Sequence, residues 1–92
     1  MLTAFQLREN AKARIAAAHA ADAHDLRLYI IYKAQEAYEQ GRVEFTVPTK
    51  VKLDKRTIAL DQHKNMIHTM AYEAGFTVIA KRRVWKFKNP IL

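Results

Sequence analysis

Residues 81–88, KRRVWKFK, hold five Lys or Arg with Trp85 and Phe87 set between them. Two chemistries fit such a run. Cations interleaved with rings can grip a nucleic acid, charges on phosphates and rings on bases. A strand with one buried face gives the same letters. In extended backbone Val84, Lys86 and Lys88 point one way, and Trp85 and Phe87 the other. This sorting of rings from lysines favours the strand, with both rings in a core. The charges are then left for contact. Lys81, Arg82 and Arg83 gather at a turn, with Lys86 and Lys88 behind them.

Other reactive constellations are thin. The chain has no Cys and no Ser, which removes the commonest nucleophiles, thiolate metal sites and disulfides. Its two glycines, Gly41 and Gly75, form no phosphate-cradling loop. The histidines fall in pairs five apart, His19/His24 and His63/His68. Five residues turn a helix by about 140°, so neither pair shares a face and no metal site is expected. Solvent-facing or locally hydrogen-bonded imidazoles are the expectation. Asp22 and Asp25 are three apart and share a helix face. Acid–base work would require a pocket that shifts their pKa values, and helix capping is the commoner role. Arg27, Tyr29, Tyr32 and Tyr38 read as core or interface residues of a helix. No enzyme activity and no cofactor are expected.

The charge is one-sided. Residues 1–41 balance five Lys/Arg against five Asp/Glu, whereas residues 42–92 set eleven against four. The whole excess of +7 therefore lies in the second half, which raises the weight of an anionic partner. The candidate polyanion surface is Lys50, Lys52, Lys55, Arg56, Lys81, Arg82, Arg83, Lys86 and Lys88. Its partner would be nucleic acid or an acidic protein surface.

These side chains need a scaffold. Ninety-two residues make one small domain. It buries only about 60–65% of its unfolded surface, so a shared core with another subunit would help. From Ala4 to Gln40 there is neither Gly nor Pro. Thr3 and Gln6 have the form of a capping box, and Gly41 is a natural residue just past a helix end. One long helix or two shorter ones are expected, with Asp25 as an alternative N-cap for the second. Residues 1–24 read as an Ala-rich arm and 25–92 as a small α+β domain. Leu26, Tyr29, Ile30, Ala34 and Ala37 form an apolar face for the domain. The arm, through Phe5, Ala11, Ile15 and Ala18, is expected to pack on another copy or partner.

RVEFTVP, 42–48, alternates as a strand with one buried face. TKVKLDKR, 49–56, allows either a loop or a short strand. A helix is predicted from Thr57 or Asp61 to Ala74, carrying Leu60, Ile67, Met70 and Ala71, and closed by Gly75 with Phe76 packed beyond it. A hairpin follows, with strands near 76–80 and 84–88. The fold class is thus α+β: helical arm, then β-α-β-β with a three-stranded antiparallel sheet. A basic turn projecting from such a sheet resembles the wing of a winged-helix domain. That plan needs two short helices between first strand and hairpin, and Pro48 and Val51 make 49–56 a poor helix.

LTAFQLREN, AYEQGRVEF, AYEAGFTV and VWKFKN together resemble small accessory proteins of tailed bacteriophages, in overall plan across most of the chain. The resemblance implies a compact, non-enzymatic binding protein acting on host or virion components, and carries over no site residues. The N-terminus shows no basic leader before an apolar run, and the longest apolar run, LYII at 28–31, is too short to span a membrane. A soluble protein of the host cytoplasm or the virion is expected. Three functions remain in view. One is contact with nucleic acid or another polyanion. The second is a homo-oligomeric virion component or inhibitor of a host protein. The third is capture of a small anionic nucleotide between subunits.

Overall fold

The computed structural model describes residues 3–89. The expected α+β class is the one observed. Helix α1 spans Ala4–Glu39 without interruption. Its start is the capping box: the Gln6 N–H donates to the Thr3 hydroxyl at 3.1 Å and the Thr3 N–H to the Gln6 side-chain oxygen at 2.9 Å. It ends at Gly41, φ 71°, where the Arg42 N–H reaches back to the Ala37 carbonyl at 2.8 Å. That bond closes a Schellman-type end, which the missing Cβ of glycine permits. The helix sets the length of the molecule, 60 × 25 × 23 Å.

The three-stranded antiparallel sheet has β1 (Glu44–Pro48) beside the last strand. β2 (Lys50–Leu53) and β3 (Arg56–Ala59) form a separate hairpin. A 3-10 turn, Leu60–His63, leads into α2 (Lys64–Ala74). β4 (Thr77–Ala80) and β5 (Val84–Lys88) complete the sheet in the order β1-β5-β4. Phe45 lies opposite Phe87, Val47 opposite Trp85, and Val78 opposite Phe87. These inward residues meet Leu26 and Ile30 of α1 and Ile67 of α2 in one core. The Phe45 and Phe87 rings stack at 4.9 Å, and Phe76, just past Gly75, meets Phe45 edge-on at 5.8 Å. The rings of KRRVWKFK are therefore core residues, as their alternation predicted.

One expectation is corrected. The second helix does not begin at Thr57: helical backbone starts with the 3-10 turn at Leu60, one residue before Asp61, and α2 itself at Lys64. Residues 56–59 are a strand, because Val51 and Ile58 face one another across the β2–β3 hairpin and are both buried. The tip is Asp54–Lys55, with φ 51° and 67°. This is the left-handed pair of a type I′ hairpin turn, made without the usual Asn or Gly. A hairpin at 49–59 also removes the helix that a winged-helix plan requires there. A three-stranded sheet that ends in a basic turn is what the two plans share.

Thr3 and residues 4–21 of α1 are exposed throughout, and burial begins at Asp22. The expected boundary between residues 24 and 25 thus falls inside one continuous helix. Among the described residues, no helix is long and apolar enough to cross a membrane.

Candidate polyanion interface

Thr49 links the two basic hairpins. Its N–H donates to the Arg83 carbonyl at 3.1 Å, and its carbonyl accepts from the Leu60 N–H at 2.9 Å. Pro48 pairs with Val84 in the sheet. The start of β2 is thereby fixed against the β4–β5 turn, and Lys50 is brought to the Lys81–Arg83 segment. The turn itself is closed by the Lys81 N–H on the Val84 carbonyl at 2.9 Å, which leaves Arg82 and Arg83 as its two central residues. In β2, Lys50 and Lys52 are exposed on one face while Val51 is buried on the other. Lys50, Lys52, Lys81, Arg82 and Arg83 are all exposed, and among the described residues none has a carboxylate partner. Five free cations on two joined hairpins repel each other, and a polyanion relieves that repulsion.

The other basic residues are placed differently. Arg56 reaches α1 and hydrogen-bonds Asp22 and Asp25, one carboxylate to each terminal nitrogen. Its guanidinium is held above its ordinary range, chiefly by the hydrogen bond to Asp25. Arg56 thus fastens the β2–β3 hairpin to the helix, and the two aspartates serve as its partners within an unbroken helix instead of capping a second one. Lys86 pairs with Glu44 at 3.1 Å on the outer sheet face. Lys88 lies opposite Glu44 and Thr77, at the far end of β5 from the turn. Lys55 sits at the far tip of its hairpin. Of the nine expected residues, then, Arg56 and Lys86 are engaged by carboxylates, Lys55 and Lys88 lie at the far ends of their hairpins, and Lys50 follows directly on the Thr49–Arg83 bond.

The expected arm residues are exposed too, but do not share one face. At about 100° per residue, Ala11, Ile15 and Ala18 fall on one side of α1 and Phe5 roughly 120° away from Ala11. Leu7 accompanies Ala11 and Ile15 instead, lining a shallow groove with Asn10 and Arg14.

One pairing escapes a local reading of the sequence. His19 stacks on His63, with ring centroids 4.4 Å apart, at the seam between α1 and the 3-10 turn. His63 is only 4% exposed. Burial, and then the neighbouring His19, push its imidazole below the ordinary value, with Asp22 opposing them. The open cleft beside this pair, about 500 Å³, sets Lys64 against Asp61 and is not a basic pocket. Among the described residues no group of three or more His, Asp or Glu could hold a metal ion. Comparisons with protein-family models, with curated proteins and with solved structures give no match.

Proposed function

We propose that the protein is a non-enzymatic binding protein that contacts nucleic acid or another polyanion through the joined ends of its two basic hairpins. The Thr49–Arg83 hydrogen bond supports this reading, because it holds the start of β2, which carries Lys50 and Lys52, against the turn that carries Lys81, Arg82 and Arg83. Trp85 and Phe87 are committed to the core and offer no platform for bases. Contact is therefore with phosphates, which position a protein without reading sequence. The phage-like plan of the chain sets this contact in a host cytoplasm or a virion. Self-association, the second reading, is favoured by a separate feature, the exposed outer side of α1.

Fluorescence anisotropy with labelled duplexes of differing sequence, over a salt series, tests the proposal. If each of the five cations neutralises one phosphate, log affinity falls against log salt with a slope of about −4.5. Little dependence on sequence is expected. Binding that is insensitive to salt, or absent at low salt, overturns it.

A further inference from the structure

We infer that α1 is a dimerisation helix whose outer side pairs antiparallel with α1 of a second copy of this chain. The inner side is occupied: Leu26, Ile30 and Ala37 are buried in the chain's own core. The opposite side carries a second pattern. From Leu7 to Tyr38 the spacing runs 3, 4, 3, 4 without a break, through Ala17, Ala21, Leu28 and Ile31. That is the heptad spacing of a coiled-coil seam, and every position on it is exposed. Its large members are conspicuously open to water: Leu7 is 55% exposed, Leu28 52% and Tyr38 72%.

The distribution of sizes along the seam selects the occupant. The half of α1 that lies on the sheet holds Leu28 and Ile31, whereas the free half holds Ala17 and Ala21. A two-fold interface must match this surface to itself. In an antiparallel pair centred between Ala21 and His24, Leu28 meets Ala17 of the second copy and His24 meets Ala21. Large faces small in both directions. Further out, Leu7 meets Tyr38, and Asn10 meets Gln35 as an amide pair. Arg14 lies over Ile31, its stem covering the side chain and its head reaching water. The charges flanking the seam near the sheet, Asp25 and Arg27, come against Ala18 and Ala20, so no like charges oppose. A parallel pair would instead set Arg14 on Arg14 and leave gaps between alanines.

The geometry allows this contact. The sheet and α2 pack on the Leu26, Ile30 and Ala37 side of α1, and the β2–β3 hairpin reaches round to one flank of the seam, where Leu53 and Asp54 stand beside Leu28. The seam from residue 7 to 38 is about 47 Å long at 1.5 Å per residue. A strip roughly 12 Å wide along it would cover on the order of 1,100 Å² over both partners, close to the lower bound of stable interfaces at about 1,200 Å². The pair also gives the Ala-rich arm the packing that an isolated helix lacks.

The absence of cysteine allows a clean test. Sedimentation over a concentration series from micromolar to millimolar should show a species of twice the 10.7 kDa chain mass. Single variants Ala17→Cys and Leu28→Cys, mixed and allowed to exchange subunits, should be joined by a short bismaleimide. Neither variant alone should be joined to itself, because like positions stand about 16 Å apart along the helix pair. Leu28→Asp, at an exposed position, should give a monomer whose melting transition is retained. A monomer at every concentration overturns the inference. So does an Ala17→Cys variant that links to itself, or a Leu28→Asp variant that keeps the dimer mass.

Discussion

Replacing Lys55 by Gly should raise the melting temperature without weakening polyanion binding. Asp54 and Lys55 close the β2–β3 hairpin with φ 51° and 67°. An ordinary L residue held in that region costs roughly 1–2 kcal/mol, and Asp tolerates it better than Lys. Glycine removes the cost but returns about 0.5–1 kcal/mol through the greater freedom of the unfolded chain. The net gain for Lys55→Gly is therefore about 0.5–1 kcal/mol. For 92 residues the entropy of unfolding is about 0.19 kcal/mol/K, so the melting temperature should rise by roughly 3–5 °C. Asp54→Gly, at the better-tolerated position, should gain less. Calorimetry reads the shift, and anisotropy with a duplex reads binding. Lys55 lies at the hairpin tip, away from the Thr49–Arg83 join, so affinity should stay close to that of the parent chain. A melting temperature that does not move, or falls, would refute the left-handed turn and the strand register built on it. A clear loss of affinity would place Lys55 within the binding surface.

Three further outcomes are expected. Arg82→Glu combined with Arg83→Glu should reduce the salt slope of duplex binding by about 1.8, two phosphate contacts' worth, with the melting temperature little changed; an unaltered slope removes the turn from the interface. Trp85→Ala should cost about 3–5 kcal/mol in urea unfolding, a large share of the roughly 5–14 kcal/mol available to a chain of this length, since Trp85 is 1% exposed. His63 gives the pH dependence. Its folded pKa lies below the ordinary 6.5, so the unfolded chain takes up a proton that the folded chain refuses. Stability is full above about pH 6.5, falls as pH drops toward the lowered folded value, and levels off beneath it. Urea midpoints across this range should show the fall, and His63→Leu should flatten it.

The local signals in the sequence located much of the fold. The Thr3–Gln6 box, Gly41, and Gly75 followed by Phe76 each mark a helix end that forms where expected. The alternation in 42–48 and 84–88 gave two strands and sorted rings from lysines. What escaped depended on distant partners. The β2–β3 hairpin has no Asn or Gly at its tip, so nothing local distinguished it from a loop. The continuity of α1 through Asp22 and Asp25 was equally hidden, because both carboxylates are engaged by Arg56, more than thirty residues away. The five-residue spacing of the histidines pointed away from any pairing. The pair that forms joins one histidine of each set across the interface of two elements. The basic cluster was legible as composition, but its division was not. Arg56 and Lys86 look like the other cations until the carboxylates beside them are known.

The placement of Trp85 has an optical consequence. It is the chain's only tryptophan, and it is shut inside the sheet. Residues 3–21 contain neither Trp nor Tyr, so near-ultraviolet emission reports the body and is blind to the arm. Far-ultraviolet ellipticity sees the arm as well, since residues 4–21 are half of the 36-residue α1, beside the 11 residues of α2. Melting curves from the two signals need not coincide, although coincidence is the usual mark of a single cooperative transition. Any early loss of ellipticity, while the tryptophan emission stays unchanged, measures the fraying of the arm alone. Raising the protein concentration should then draw the two curves together as second copies cover that helix.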